Sequence, residues 1–389
     1  MENIFENTEV AFAIKKDSEL ERAYFLFKMI QKEPLVRIGT AITNFALKAH
    51  MPVEHLIRAT VFDHFCGGVT EEDCMDTIEK MYSKNVHSIL DYSVEGKETE
   101  EQFDLALEKT LKILDFVKEK DSIPFAVFKP TGFGRFEVYR KITENEELLN
   151  DEQEEWNRIE ARYEAVAKKA FDNDVPLLID AEESWMQTAA DDLIERLMEK
   201  YNKEKAIVFG TLQMYRWDRL EYLIHLHERA TDKGYHVGMK LVRGAYMEKE
   251  RERAEEKGYK SPICTTKQRT DDNYDAAVIY MMEHKNMAVY AGTHNEDSSK
   301  NLMELAKKHD VAKDDPRMWF GQLYGMSDHI TFNLANAGYN VSKYLPFGPV
   351  RDVMPYLIRR AEENTSVAGQ TSRELKLLKT ERKRRKLTK

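Results

Sequence analysis

Two adjacent arginines near the carboxyl end of the chain, Arg359 and Arg360, lie in the segment PYLIRRAEEN. At about 100° per residue of a helix, they share one face with Tyr356 and Glu363, and the opposite face is apolar. Arginine binds carboxylates and phosphates through two parallel hydrogen bonds, so this face could hold an anionic substrate. The same spacing is typical of an amphipathic helix whose charged face meets water. Periodicity alone leaves both interpretations open.

Other chemically capable side chains recur directly after, or at the end of, short apolar runs. Lys129 and Asp180 end two such runs, Lys240 lies inside a third, and His294 follows a fourth. Further polar residues at equivalent places are Gln213, Arg243, Thr293, Asn295, Gln322 and Tyr344. Each has a structural alternative: a helix cap for Asp180, a core hydrogen bond for His294, and ion pairs for the two lysines.

These side chains must be brought together by regular elements, and the chain offers eight short apolar or β-branched runs with helical stretches between them. The runs begin at His87, Pro124, Pro176, Ala206, His236, Met287, Arg317 and Val341. Alternating strands and helices predict a parallel sheet, and eight such units predict a (β/α)8 barrel in the α/β class, with a doubly wound open sheet as the rival. Barrel enzymes place catalytic groups at the carboxyl ends of their strands, where these polar residues fall.

The regions outside the eight units predict two appendages. Residues 1–86 show helical spacing in SELERAYFLFKMIQKE, RIGTAITNFALKAH and TEEDCMDTIEKMYSKN and predict an N-terminal helical arm. The barrel is expected over residues 87–378, and residues 379–389 form a basic tail. A frayed helix is the simpler interpretation of the tail, and an electrostatic contact with anionic lipid is the alternative.

Composition excludes several classes of protein. With 389 residues, 42% hydrophobic and 33% charged, the chain is expected to be globular with a large core. Its net charge of −10 argues against nucleic acid as the main partner. No apolar run approaches the roughly 20 residues of a membrane span, and the start shows no leader pattern, which predicts a cytoplasmic location. Cys66, Cys74 and Cys264 have no CxxC spacing, and His64, Cys66 and Cys74 lack a fourth ligand at a zinc-like spacing, so we expect neither disulfides nor a metal site.

Five segments resemble the proline dehydrogenase family: LLIDAEES, KLVRGAYMEKERERA, GTHNEDS, FGQLYGMSDHI and YLPFGPVRDVMPYLIRRAEENTS. The likeness runs from about Leu56 to about Leu378, with the motifs in family order. DYSVE, GAYMEKER and GYNVSKYLPFGPV look more like the monofunctional, mitochondrial branch than the bacterial bifunctional enzymes. The resemblance implies a (β/α)8 flavoenzyme that oxidises L-proline to 1-pyrroline-5-carboxylate with FAD, passes electrons to quinone, and leaves its product to a separate pyrroline-5-carboxylate dehydrogenase.

The resemblance also implies roles for individual residues. Asp180 and Lys240 would be the catalytic pair, with no metal. The substrate-binding residues would be Lys129, Ala245, Tyr246, Leu323, Tyr344, Tyr356, Arg359 and Arg360. The flavin contacts would be Gln213, Lys240, Val242, Arg243, Gly244, Ala245, Thr265, Lys267, Thr293, His294, Asn295, Gln322, Leu323, Arg360 and Glu363. The family binds FAD without a Rossmann domain, and no complete GxGxxG is found here.

One departure from the family pattern and three alternative functions accompany the resemblance. Many bacterial members carry arginine at the position of Lys240, and lysine keeps the charge while losing the planar fork. Tyr344 favours L-proline, because hydroxyproline-preferring relatives have a smaller residue there; hydroxyproline dehydrogenase is the first alternative function. A flavin-independent lyase with a Schiff base on Lys129 or Lys240 is the second, and a catalytically inactive scaffold is a third class. Glu95 is a candidate to gate the site by pairing with Arg359.

Overall fold

The computed structural model describes residues 4–32, 54–93, 96–366 and 370–387, without the side chains of residues 55, 56, 59, 361–366 and 370. The helix predicted at RIGTAITNFALKAH and the residue Glu95 lie outside the described residues. The strands are β1 Val86–Tyr92, β2 Ala126–Phe128, β3 Leu177–Ile179, β4 Val208–Gln213, β5 Val237–Val242, β6 Met287–Gly292, β7 Met318–Leu323 and β8 Val341–Phe347.

The α-helices of the described residues flank and separate these strands. Before β1 they are α1 Thr8–Ala11, α2 Asp17–Ile30, α3 Glu54–Ile57, α4 Asp63–Phe65 and α5 Glu71–Tyr82, with a π-helical turn at Arg58–Phe62. Between strands they are α6 Glu100–Val117, α7 Phe136–Thr143, α8 Asn150–Asp172, α9 Ser184–Tyr201, α10 Arg219–Lys233, α11 Met247–Lys257, α12 Lys267–Glu283, α13 Glu296–Lys308 and α14 Asp328–Asn336. After β8 come α15 Met354–Ser366 and α16 Gln370–Arg384. None of the helices in the described ranges is long and apolar enough to cross a membrane.

The eight strands form one sheet in the order β1-β8-β7-β6-β5-β4-β3-β2. The ladders of β1 with β8 and of β2 through β7 are parallel. A doubly wound sheet reverses its strand order at a switch point, whereas here each strand lies beside its neighbours in sequence and the last lies beside the first. The predicted (β/α)8 barrel is therefore confirmed, and its doubly wound rival is wrong.

The chain divides into two compact units. The central unit is Gly96–Gly321, and the terminal unit combines Met1–Glu95 with Gln322–Lys389. Strands β2 to β6 belong to the central unit, β1 and β8 belong to the terminal unit, and β7 divides after Gly321. The domain boundaries expected at residues 86 and 378 stay a prediction.

An aromatic cluster fills part of the central unit. Phe125 packs edge to face against Phe209, Tyr290 and Trp319, with ring centroids 5.1–5.8 Å apart. All four side chains are buried. Strands covered on both faces need continuous apolar sequences, and every residue of β4 is buried accordingly. The chemically capable residues follow at the ends of such rigid strands.

In the terminal unit, helices α2 and α16 pack through an apolar cluster of Leu20, Ala23, Phe27, Leu375, Leu377 and Leu378. Ion pairs flank this cluster, including Arg382 Nε with Glu21 Oε1 at 2.6 Å and Arg385 NH1 with Asp17 Oδ1 at 3.0 Å. Helix α16 thus packs on α2, and part of the positive charge near its end is already paired.

Candidate active site

Three of the predicted site residues meet in the central unit, at the carboxyl ends of strands. Asp180 directly follows β3, Lys129 directly follows β2, and Lys240 lies in β5. One carboxylate oxygen of Asp180 accepts a hydrogen bond from Lys240 Nζ, and the other lies 3.6 Å from Lys129 Nζ. Their side chains are only 8–22% exposed. The carboxylate balances one of the two ammonium charges, so the group as a whole is cationic if all three are ionised.

The loop that follows Asp180 is joined to the start of α11. Glu182 and Glu183 at the end of this loop, and Ser184 at the start of α9, contact the cap and first turn of α11, at the spacing of one helix face. The contacts are Tyr246 Oη to Glu182 Oε2 at 3.3 Å, Lys249 Nζ to Glu183 Oε1 at 3.2 Å, and Ser184 N and Oγ to Glu250 at 2.6 Å each. The motifs AEES and AYMEKE therefore fit together as one unit. Ala245 and Tyr246, predicted to wall the substrate, lie at this junction.

Arg243 joins several of the predicted flavin contacts. Its guanidinium hydrogen-bonds Asp271 Oδ1 at 2.6 Å, Thr293 Oγ1 at 2.9 Å and Ser298 Oγ at 2.9 Å. It also lies over the ring of Tyr274, 4.3 Å from the centroid. A guanidinium fixed on so many sides presents its remaining edge in one orientation.

Lys267 belongs to the same network through Asp271. Its ammonium lies 2.5 Å from Asp271 Oδ2, one helical turn along α12. Burial alone would raise the pKa of Asp271, but hydrogen bonds from Lys267 and Arg243 hold it below the ordinary value. Lys267 is 72% exposed, which suits a residue that meets a solvent-facing part of a ligand. Thr265 is also exposed, in the loop just before α12.

The loop that carries Thr265 is tied to the loop after β4. Cys264 N–H donates to Tyr215 O at 2.7 Å, and Trp217 N–H donates to Pro262 O at 3.0 Å. A short antiparallel bridge joins Arg216 and Ile263 at the same place. Backbone pairing to the loop after β4 therefore positions the segment that carries Thr265 and leads into α12 with Lys267.

Two features of the central unit fit a bound polar heterocycle. Gln213, the last residue of β4, is 2% exposed, and its Oε1 atom is buried without a hydrogen-bond partner among the described residues. Such an acceptor costs about 1–3 kcal/mol unless a ligand or water satisfies it. Gly244 has φ of +108°, and a Cβ atom there would lie 2.3 Å from the Tyr215 ring. Only glycine can bring the backbone this way.

The residues after β6 that are predicted to contact the flavin also stabilise their own loop. Asn295 Oδ1 caps α13 by accepting from Asp297 N at 2.8 Å and Ser298 N at 3.1 Å. Thr293 Oγ1 accepts from Asn295 N at 3.1 Å. His294 and Val242 are half-buried. Asn295 thus shapes the loop whatever ligand it meets.

The terminal unit carries the arginine pair. Arg360 is 8% exposed, and its guanidinium carbon lies 5.2 Å from the ring centroid of Tyr356, which is 5% exposed. Arg359 is half-buried. The interpretation of this helix face as fully solvated is therefore wrong for Arg360 and Tyr356. The side chain of Glu363 lies outside the described residues.

Strands β7 and β8 position the other predicted contacts of this unit. Tyr324 N–H donates to Tyr344 O at 2.9 Å, which joins the end of β7 to β8. Gln322 is buried, and its Oε1 accepts a hydrogen bond of 2.8 Å from Thr331 Oγ1. Leu323 and Tyr344 are half-buried. A pocket for a small apolar ring needs partly exposed apolar side chains at strand ends, as these two residues provide.

Sequence reasoning missed a buried charged cluster beneath these residues. Lys343 is 0% exposed, and its ammonium hydrogen-bonds Met326 O and lies 2.9 Å from Asp328 Oδ1. Asp328 Oδ2 lies 3.0 Å from Lys15 Nζ. Burial would raise the pKa of Asp328, but Lys15 and Lys343 together hold it well below its usual range. A lone lysine in the apolar strand VSKYLPF was the available signal.

His64, considered as a metal ligand from sequence, contacts the loop after β7. Its Nε2 lies 3.0 Å from Gly325 O, and a carbonyl partner requires this nitrogen to carry the proton. Phe27 and Phe65 pack edge to face against its ring. Burial lowers the pKa of His64 to about 3, so the imidazole is neutral. The lysine cluster and His64 together hold the loop after β7.

Comparison with known proteins identifies the family. A family model described as proline dehydrogenase matches residues 74–373. The chain belongs to the proline dehydrogenase family. It is therefore a member of a family of oxidoreductases that act on proline, as the sequence motifs predicted.

Relatives of the proline dehydrogenase family cover most of the chain. Proline dehydrogenase 2, mitochondrial, of Arabidopsis thaliana is 33% identical over 96% of this chain and 89% of its own length. The carbapenem antibiotics biosynthesis protein CarD of Pectobacterium carotovorum subsp. carotovorum is 37% identical over 82% of this chain and 83% of its own. Proline dehydrogenase 1, mitochondrial, of Homo sapiens is 40% identical over 63% of this chain and 40% of its own. The predicted likeness to the mitochondrial branch is confirmed.

Among solved structures, proline utilization A (PutA) from Bdellovibrio bacteriovorus inactivated by N-propargylglycine has the same fold as this proline dehydrogenase family member. The TM-score is 0.70 at 20% identity, over 97% of this chain. The chain spans 39% of the length of that protein. At this identity the likeness concerns the (β/α)8 fold alone.

Proposed function

We propose that this protein catalyses the FAD-dependent oxidation of L-proline to 1-pyrroline-5-carboxylate. The observation that carries the proposal is the Asp180 carboxylate shared by Lys129 and Lys240 at the strand ends of the central unit. This group of three side chains combines ordered positive charge with partial burial. The binding of a carboxylate substrate and of an electron-rich reduced cofactor requires both properties. Membership of the proline dehydrogenase family supports the same reaction.

The substrate carboxylate is assigned to Arg359 and Arg360, with Lys129 as an additional cation. Stacking on Tyr356 sets the plane of the Arg360 guanidinium, so its nitrogen donors approach a carboxylate in a defined orientation. Ala245, Tyr246, Leu323 and Tyr344 are assigned to the apolar ring of proline. Cations near the substrate disfavour a protonated amine, so they increase the fraction of the free amine that can be oxidised.

FAD, when bound, supplies the acceptor, its N5 atom, for a hydride from proline C5. In the central unit, Gln213, Arg243, Gly244 and Thr293 are the residues suited to hold it. The buried Oε1 of Gln213 would accept a hydrogen bond from an N–H of the ring system. Thr265 and Lys267, exposed and joined to the end of β4 by backbone pairing, suit the pyrophosphate or adenosine part. Asp180 and Lys240 orient the site and balance its charge.

The two alternative functions differ in what they require of named residues. Hydroxyproline oxidation needs space beside the ring, and Tyr344 occupies half-exposed surface on β8. Schiff-base chemistry requires a lysine amine that can reach a substrate carbonyl, whereas Lys240 Nζ is hydrogen-bonded to Asp180 and its side chain is 8% exposed. Both observations favour L-proline oxidation over these alternatives.

Quinone is the proposed electron acceptor, and a lysine face of α16 is the proposed contact with anionic lipid. Lys376, Lys379 and Lys383 are exposed and recur at helical spacing along α16, and exposed Lys386 follows the end of the helix. Since Arg382 and Arg385 pair with acidic residues of the same unit, the lysines supply the attraction. Replacing all four lysines by glutamine should abolish binding to anionic vesicles; unchanged binding would exclude this contact.

A cytoplasmic location and a separate pyrroline-5-carboxylate dehydrogenase stay predictions.

An anaerobic reduction experiment tests the reaction. L-Proline added to the purified protein should bleach the flavin band at about 450 nm, and trans-4-hydroxy-L-proline should bleach it far less. Arg360→Lys keeps the charge but loses the fork, so it should need more proline for the same bleaching. Protein that carries no flavin, or flavin that L-proline leaves oxidised, would refute the proposed function.

A further inference from the structure

Glu182 lies at a junction of three loops in the central unit, at the carboxyl ends of β2, β3 and β5. Its Oε1 accepts hydrogen bonds from Thr131 N at 3.0 Å and Thr131 Oγ1 at 2.6 Å. Its Oε2 accepts one from the phenol of Tyr246 at 3.3 Å. The residue is 6% exposed. One buried carboxylate thus connects the loop after β2 with the residue that precedes α11.

The backbone of Glu182 is also fixed. Its N–H donates to Gln187 Oε1 at 2.8 Å, and Gln187 Nε2 donates to Asp191 Oδ1 at 2.8 Å. Asp191 in turn pairs with Arg219 at 2.8 Å. All three partners are buried. The chain of contacts connects Glu182 to the packed helices α9 and α10, so its carboxylate is a rigid anchor.

We infer that Glu182 is a positioning residue, which holds the ring of Tyr246 in the orientation needed to contact the proline ring. The inference rests on the proposed function, in which Tyr246 contacts the substrate. Rotation about the Cα–Cβ bond of a tyrosine moves its phenol oxygen by several ångströms, so a hydrogen bond at that oxygen holds the ring in one place. If the Tyr246 ring is already fixed before proline binds, binding does not carry the entropic cost of ordering that side chain.

The neighbouring Glu183 provides a matched control. Both residues are buried glutamates of the same loop, but Glu183 pairs with Lys249, whose side chain is 65% exposed. Glu183→Gln therefore changes the charge of this loop as Glu182→Gln does, but it keeps the hydrogen bond between Glu182 and the Tyr246 phenol. Effects of charge alone would appear in both variants, and effects of positioning would appear only in Glu182→Gln.

The test measures proline kinetics and ligand binding in Tyr246→Phe, Glu182→Gln and the double variant. In each, KM for L-proline should rise about tenfold with a smaller change in kcat, because substrate placement is weakened before chemistry. The double variant should be no worse than either single variant, since both changes remove the same contact. Glu183→Gln should keep the KM of the unchanged protein.

A second readout does not depend on turnover. Cyclopentanecarboxylate has the ring and carboxylate of proline but no amine to oxidise, and its dissociation constant should rise about tenfold in the same variants by calorimetry. Tyr246→Phe removes one atom from a half-buried side chain and should preserve the fold, so a KM and dissociation constant equal to those of the unchanged protein would overturn the inference even if Glu182→Gln fails to fold. Additive losses in the double variant would also overturn it. If the unchanged protein neither binds nor oxidises L-proline, the proposed function itself is refuted.

Discussion

The hydroxyl of Thr331 donates a hydrogen bond of 2.8 Å to the Oε1 atom of Gln322, and both side chains are buried. Thr331 lies on α14, and Gln322 lies near the end of β7. A donor on Oε1 distinguishes the two ends of the amide and directs the Nε2 hydrogens away from Thr331. Since Gln322 is predicted to contact the flavin, α14 would set which end of its amide faces the cofactor.

Thr331→Val should weaken FAD binding, because valine keeps the shape of threonine and removes the hydroxyl that orients Gln322. Losing one buried hydrogen bond costs about 0.5–1.5 kcal/mol, so we expect a severalfold higher dissociation constant for FAD. The constant can be measured by flavin fluorescence on cofactor-depleted protein. Thr331→Ser keeps the hydroxyl and should restore tight binding. Equal affinity in the valine and serine variants would show that the contact has no role in cofactor binding.

Asp180→Asn should raise the midpoint potential of the bound flavin. The substitution preserves an oxygen for Lys240 but removes the negative charge that Lys129 and Lys240 share, and unbalanced cations stabilise an electron-rich reduced cofactor. We expect kcat to fall about tenfold or more, because the two lysines lose their common anchor. Reductive titration against a reference dye measures the potential.

Asp172→Asn is the matched control for that experiment. Asp172 is 49% exposed and pairs with Lys168 along α8, so it should change neither potential nor kcat. A potential that stays constant in Asp180→Asn would exclude an electrostatic role for this carboxylate.

Strand positions were predictable because short apolar runs bounded by turns are typical of buried strands. Each predicted run overlaps an observed strand, from Val86–Tyr92 to Val341–Phe347. The ion-pair alternative for Lys129 and Lys240 was also right, since both contact Asp180. The sequence analysis set ion pairing against a functional role for these lysines, but the two interpretations are compatible, because the contacts with Asp180 also hold both lysines beside it after β3.

The contacts that hold the loop after β7 were not predictable. Lys15, Asp328 and Lys343 are separated by hundreds of residues or by a helix, and no local period connects them. Burial of a lysine in a strand depends on where its carboxylate partner lies in three dimensions. The same holds for Thr331 and Gln322, whose pairing depends on how α14 packs behind β7.

Acid should destabilise the terminal unit through His64. Its pKa is about 3 in the folded chain and about 6.5 when exposed, so the unfolded chain binds a proton that the folded chain does not. Stability from this group is fully present above pH 6.5 and falls by up to about 1.4 kcal/mol per pH unit as the pH drops toward 3. Lys15 and Arg22 add to the effect by lowering this pKa, while Asp328 opposes it.

The measurement compares the unchanged protein with His64→Gln, which keeps a donor for Gly325 O but does not titrate. Urea unfolding at about pH 7.5 and about pH 5 should show a larger loss of stability in the unchanged protein. Contributions from other buried acids, such as Glu374, are common to both proteins and cancel in the comparison. Parallel losses in the two proteins would mean that His64 is not the titrating group.

Lys343→Met should destabilise the chain by about 3–5 kcal/mol, because it leaves buried Asp328 with one cation in place of two and removes the donor to Met326 O. The urea midpoint measures the loss, with Lys376→Met, at an exposed lysine of α16, as the control that should change little. Adding Asp328→Asn to Lys343→Met removes the under-compensated charge and should recover part of the stability. If the double variant is less stable than Lys343→Met, the loss comes from the broken backbone contacts of the loop after β7 and not from the buried charge.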